Sequence, residues 1–278
     1  MTDREFVTTR VSDGVCVLTL NRPDRLNAIN RQLDLDWLHA LQEAEADPDV
    51  RVVVQHGAGR MFSAGHDLAE VGQVIKDLAA EAHDWSKVYE FIWPEGSPLD
   101  LTCEYSKPIV SAVHGHVIGQ AVFQVLATDL VVAAPGTVFN LEVMRTGGAA
   151  GAAAFSGLLP VKLVNEVALL GRLHAEELLA CGSINRVVDD PLDEALRLAS
   201  SVARMHPTSV TAYKTAMAET LRRRDIGDFK AAFDAIRDSH GNDDDNEFWA
   251  MAAERGVKEA LAWRDAQFGP APTPGGTR

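Results

Sequence analysis

The sequence predicts an α/β fold built on a substantially parallel sheet and closed by an all-helical end. Three observations predict it. In the first half, short apolar runs alternate with helical patterns, as in ββα or βαβ units. From Pro160 onward the periodicity is helical and amphipathic. No internal repeat is visible, which argues against a solenoid of identical units. At 278 residues the chain is one large domain, or one domain with an appendage, and long enough for a sizeable core.

The elements follow in order. Val15–Leu20 is a β-rich run after an Asp13-Gly14 turn, broken by Asn21-Arg22-Pro23-Asp24-Arg25. Leu26–Asn30 leads into a helix over 31–46, with Leu33, Trp37, Leu38 and Leu41 on one face, and Asp47-Pro48 ends it. Val50–Val54 reads as a buried strand. Residues 72–101 read as a helix followed by an aromatic-rich segment (Trp85, Tyr89, Phe91, Trp93) that Gly96 and Pro98 interrupt. Ile109–Val113 is a third strand. His114-Gly115-His116 turns the chain into a small-residue helix over 119–127, which Asp129 stops. Leu130–Ala134 and Val138–Leu141 are further strands. Residues 147–157 are almost all Gly and Ala. They read either as a tightly packed loop and helix or as a wall where backbone approaches a ligand. Helices are expected over 192–205 and 208–224 with Pro207 as the break, then an acidic linker at 242–246. A final helix over 247–265 precedes a Gly/Pro tail.

Composition excludes several functions. Hydrophobic content of 46% and charged content of 24% are those of a globular protein. A net charge of -14 argues against a nucleic-acid surface, since phosphate-backbone binding needs clustered Lys and Arg; it leaves room for a phosphorylated ligand held by a few local cations. Three dispersed cysteines (Cys16, Cys103, Cys181) show neither metal-ligand spacing nor a disulfide framework, which suits a reducing cytoplasm. The polar start shows no signal peptide, and no apolar run approaches the ~20 residues of a membrane span. A cytoplasmic location without membrane or nucleic-acid partners is the expectation.

The stretch that carries chemistry is Arg60-Met61-Phe62-Ser63-Ala64-Gly65-His66-Asp67-Leu68. It leaves a buried strand, passes through small residues and starts a helix, with Asp67 and Glu70 fitting a capping box. Backbone N–H groups at such a turn can hold a developing negative oxygen. A second apolar-to-Gly stretch, His114–Gln120, is the expected partner.

Several segments in order then resemble the enoyl-CoA hydratase/isomerase (crotonase) family: Asn21–Ala28, Phe62–Leu68, Lys107–Gly115, Asp129–Ala134, Leu170–Arg172 through Gly182–Val188, and Glu254–Gly256 through Trp263–Phe268. The resemblance spans nearly the whole chain. It implies a crotonase-like ββα superhelix, with residues 1–200 as the core holding an acyl-CoA site, 201–268 as a C-terminal helical trimerisation region and 269–278 as a disordered tail. It implies an acyl-CoA thioester as ligand, no separate cofactor, and homotrimers or dimers of trimers. The implied chemistry is stabilisation of a thioester enolate by two backbone N–H groups, here those of His66 and Gln120. Arg25, Leu26 and Ala28 match the family's contacts to CoA. Ala64, Gly65, Asp67, Leu68 and Gly119 match the thioester end, and Lys258 and Phe268 match a C-terminal region that can reach CoA.

The chain also departs from the family. Where the family usually has Gly-Gly-Gly, it reads Gly119-Gln120-Ala121. Phe123 and Val143 stand where hydratases carry their two glutamates, and neither can transfer a proton. Glu142 lies one position away. It is either a working carboxylate or a residue turned to solvent or to Arg145. His66 contributes either its imidazole or only its N–H. His114 and His116 read as packing or hydrogen-bonding residues, Gln124 as an acyl contact or a polar helix residue, and Tyr89 and Glu90 as an acyl-pocket lining or core. The resemblance therefore leaves a hydratase or isomerase, a decarboxylase or hydrolase variant, and a non-catalytic acyl-CoA-binding homologue open.

Overall fold

The Asp13-Gly14 turn begins the fold. Both residues have positive φ, at 51° and 80°, as a two-residue hairpin turn requires. They join strand β1 (Val7–Ser12) to β2 (Val15–Leu20) in antiparallel register, with Ser12 opposite Val15. The run over 7–12 carries too few apolar residues to read as a strand, because it is an edge strand with most side chains outside the core. The structure, a computed structural model, describes residues 4–79, 98–142, 145, 158–223 and 247–269.

The remaining strands are β3 (Val52–Gly57), β4 (Ile109–Val113), β5 (His116–Ile118), β6 (Leu130–Ala133), β7 (Val138–Asn140), β8 (Arg172–His174) and β9 (Arg186–Val187). The described helices are α1 (Arg31–Ala46), α2 (Leu68–Ala79), α3 (Pro98–Glu104), α4 (Gln120–Leu126), α5 (Val161–Leu170), α6 (Ala175–Ala180), α7 (Pro191–Ala203), α8 (Pro207–Arg222), α9 (Glu247–Arg255) and α10 (Val257–Phe268). One sheet has the order β1-β2-β3-β4-β6-β9 and is parallel from β2 to β9. A second, smaller sheet has the order β5-β7-β8.

The larger sheet is buried on both faces, which is why its strands read as continuous apolar runs. Val53 packs with Leu33, Trp37 and Leu41 of α1 in the main core. Its neighbours Val52 and Val54 point the other way, toward Ala195 and Ala199 of α7. A separate small core joins Val71 of α2 to Phe248, Trp249, Ala252 and Ala260 of the last two helices.

Several expectations are corrected. The strand expected at 50–54 runs from Val52 to Gly57. The turn expected at 114–116 is followed at once by β5, a strand too short to show periodicity. The single helix expected over 247–265 is two helices separated by Gly256, whose φ of 92° no helix accommodates. Pro207 opens α8 as its first residue, where a missing N–H costs nothing. Residues 85–93, 143, 147–157, 242–246 and 270–278 of the tail lie outside the described residues, and with them the expectations for Tyr89, Glu90 and Val143.

Candidate functional site

Two turns meet here backbone to backbone. Beyond β3 the chain bends back so that Ser63 bridges Val117 of β5, while the Ser63 and Ile118 N–H groups reach His116 O and Ser63 O. His66 then bridges Ile29 in parallel: Ile29 N–H donates to Gly65 O at 2.7 Å and Asp67 N–H to Ile29 O at 2.9 Å. Those bonds use the groups on either side of His66, so the His66 N–H is directed away from Ile29. Gly65 has φ of 73°, and a Cβ there would lie 2.5 Å from Ile118 O and 3.4 Å from the Gly119 Cα. Only a glycine permits that approach.

Gly119 is the N-cap of α4, with φ 58° and ψ -123° and no side-chain cap. Its own N–H donates to Asn140 O of β7 at 2.8 Å. Gln120 is thus the first helical residue, and its N–H lies among those a helix start leaves without an intrahelical acceptor. Two stretches far apart in sequence, 63–66 and 117–120, are brought into contact.

The scaffold for this contact is the loop over 22–29. Leu26 and Asn27 both take left-handed φ, 58° and 52°. Asn27 is buried and gathers the site: its Nδ2 donates to Ala58 O, Met61 O and Phe62 O, and its Oδ1 accepts from Arg22 N–H. Ser63 Oγ donates to Asn27 O at 2.7 Å and accepts from Gly65 N–H. Ala64 N–H donates to Leu26 O. Sequence reasoning missed Asn27 and Ser63 as positioning residues; an Asn directly after a turn, tolerant of positive φ, was the available signal.

Asp67 belongs to the same scaffold. Its carboxylate pairs with Arg22 at 2.7 Å, while Arg22 also donates to Ala28 O. The expected capping box forms only in part. Asp67 Oδ1 accepts from Ala69 N–H, but Glu70 reaches across to the Arg31 N–H instead of back to Asp67, whose N–H is already bonded to Ile29. Leu68 starts α2 beside this pair and Leu26 and Ala28 are half-buried next to it, while Arg25 is exposed at the end of a 3-10 turn.

The His66 ring hydrogen-bonds to the Ile29 backbone, and burial lowers its pKa to about 4, so it is neutral at pH 7. Gln120 is 4% exposed and donates from Nε2 to Asp34 Oδ1 of α1 at 3.2 Å. Phe123 and Gln124 are buried in α4. Phe123 lies in the main core, and Gln124 donates to Thr102 of α3. His114 bonds to Gly59 O, and His116 stands exposed on β5.

Glu142 follows β7 and is nearly buried, but it neither turns to solvent nor pairs with Arg145. Arg172 donates to its Oε1 at 2.8 Å, and Arg264 of α10 stands 3.9 Å from its Oε2. Arg145 instead lies over the Phe268 ring and donates to Gly269 O. Phe268 and Lys258 are both exposed on α10.

The chain's relatives are informative at this point. The family model for enoyl-CoA hydratase/isomerase matches residues 10–259. The chain is 31% identical over 227 residues to the mitochondrial Delta(3,5)-Delta(2,4)-dienoyl-CoA isomerase of Pongo abelii, covering 76% of this chain and 69% of that protein. It is 31% identical over 227 residues to the 2,3-dehydroadipyl-CoA hydratase of Escherichia coli, covering 78% and 82%. An enoyl-CoA hydratase/isomerase crystal structure from Xanthobacter autotrophicus superposes with a TM-score of 0.82 at 28% identity, over 96% of this chain and 99% of that one. With its crotonase fold and a family match over nearly its full length, the chain belongs to the enoyl-CoA hydratase/isomerase family, whose members act on acyl-CoA thioesters.

Proposed function

We propose that this chain is an acyl-CoA enzyme that stabilises a thioester enolate with the backbone N–H groups of His66 and Gln120. The observation that supports the reading is the close approach of Gly65 to Ile118 and Gly119, which brings the turn that carries His66 against the start of the helix that carries Gln120. When a base takes a proton from the acyl chain or from an adding water, an electron pair moves onto the thioester carbonyl. The resulting oxyanion needs fixed donors in a dry site. In hydration the water oxygen bonds to Cβ and the proton ends on Cα; in isomerisation the proton leaves one carbon and returns to another.

The side chains then take distinct parts. The neutral His66 ring brings no positive charge to the oxyanion, so the N–H donors carry its stabilisation. Arg25 offers an exposed cation to CoA phosphates, and Leu26, Ala28, Ala64 and Leu68 offer apolar contacts to pantetheine, with Lys258 and Phe268 at the far edge. Asp67 holds the loop through Arg22. Glu142 is next in sequence to the vacant glutamate position, and its ion pair with Arg172 supports an anchoring part. Helix α8 buries none of its residues within the chain, which supports self-association as a homotrimer or dimer of trimers.

The test follows loss of the enoyl thioester absorbance of crotonyl-CoA, together with deuterium uptake at the α-carbon of butyryl-CoA in D2O. Either signal supports the enolate reading, and His66→Ala, which keeps the N–H, separates donor from imidazole. One observation favours a second reading, acyl-CoA binding without turnover: Phe123 is packed into the main core where hydratases carry a carboxylate. Tight binding of butyryl-CoA with neither signal would establish it.

A further inference from the structure

The side chain of Gln120 is an anomaly in its surroundings. It is 4% exposed, and its Nε2 is committed to Asp34, yet its carbonyl oxygen Oε1 is buried with no hydrogen-bond partner. The nitrogen of Gln120 faces Asp34 Oδ1, and the oxygen is left without a partner. A buried carbonyl oxygen left unpaired is destabilising unless something donates to it when the site is filled.

The fold says where that oxygen points. Side chains on a helix lean toward its N-terminus, so Gln120, the first residue of α4, leans toward the turn formed by Gly65 and Gly119. Asp34 lies one turn into α1, its N–H bonded to Asn30 O, and leans toward Ile29, the residue that brackets His66. Asp34 is itself 6% exposed. The wall beside the paired turns therefore holds a buried amide oxygen without a partner. Such an acceptor calls for a donor.

We infer that the acyl group taken by this chain carries a hydroxyl, which donates to Gln120 Oε1 beside the thioester, and that Asp34 sets the amide. The inference rests on the acyl-CoA reading above and names its substrate class.

Isothermal titration of the full chain with six-carbon thioesters tests it: hexanoyl-CoA and its 4-, 5- and 6-hydroxy derivatives. At least one hydroxy isomer is expected to bind ten-fold or more tighter than hexanoyl-CoA. Gln120→Met keeps the backbone N–H and removes the acceptor, so the hydroxyl preference should fall to within three-fold of unity. Should Gln120→Met fail to fold, Asp34→Asn serves: its new amide can donate to Gln120, occupy the oxygen and erase the same preference. Hexanoyl-CoA binding as tightly as every hydroxy isomer, or a preference that survives both substitutions, overturns the inference while leaving the acyl-CoA reading intact. Failure of all four thioesters to bind overturns that reading and the inference with it.

Discussion

Arg172 donates from Nε to Glu142 Oε1 at 2.8 Å, linking β8 to the end of β7 and, through Arg264, to the last described helix. Gly171, with φ of 100°, leaves the room that the Glu142 side chain fills. Glu142 is 9% exposed but the Arg172 side chain is 39% exposed, so the pair is partly screened and its loss costs less than that of a sealed ion pair. Glu142→Gln should lower unfolding free energy by about 1–2 kcal/mol in urea titration. Stability should be the first thing lost. A drop in kcat of more than a hundred-fold at unchanged stability would instead make Glu142 the proton carrier.

The His66 ring should make the fold acid-sensitive. Its pKa is lowered from 6.5 to about 4 by burial, so the unfolded chain binds a proton at a pH where the native chain does not. The sign follows: this contribution is fully present above pH 6.5 and is lost as pH falls from there toward 4. The full effect is up to about 3 kcal/mol. Urea midpoints for the native chain should fall between pH 7 and pH 5 more steeply than those of His66→Ala, and equal slopes would remove His66 from the acid response.

The positioning loop yields a third expectation. Asn27 alone joins the turn at 22–26 to three carbonyls of the turn at 58–62. Asn27→Ala would leave those carbonyls short of donors and put at φ of 52° a residue without the polar side chain that lets Asn tolerate left-handed backbone. A loss of about 2–4 kcal/mol is expected, with a rise in KM for acyl-CoA, since the same loop carries the proposed CoA contacts Arg25, Leu26 and Ala28. An unchanged melting temperature would show that the loop does not depend on this side chain.

What the sequence showed and what it hid differ in range. The elements with strong periodicity or punctuation were legible: Asn30 caps α1, Asp47 ends it, and the apolar run at 109–113 is a strand on both ends. The two small-residue turns were legible as a pair because each carries its glycine at the strand end. The partners that sit far apart in sequence were not. Nothing local links Glu142 to Arg172 or Gln120 to Asp34, 86 positions away, because these contacts exist only once the sheet has set its order. The Glu70 signal was real as an acceptor but went to Arg31, a choice made by the packing of α1 beside α2. Gly256 was read through because a single glycine in a helical pattern shows its φ only in the structure.

The two glycines of the site separate strain from collision. At Gly119 the backbone sits at φ 58° and ψ -123°, a region side chains avoid, but the nearest atom to an added Cβ is 3.9 Å away. Gly119→Ala should therefore cost only backbone strain, about 1–3 kcal/mol. At Gly65 the strain at φ 73° is joined by a contact of 2.5 Å with a backbone oxygen of Ile118, which cannot swing aside. Gly65→Ala must push the two turns apart, moving the His66 N–H away from the Gln120 N–H. In the proposed oxyanion hole, losing one donor costs about 10²–10³ in kcat. Gly65→Ala should thus lose at least ten-fold more kcat than Gly119→Ala on whichever thioester the chain turns over. Should the two variants lose turnover equally while remaining folded, the close approach of the turns would not be what places the donors.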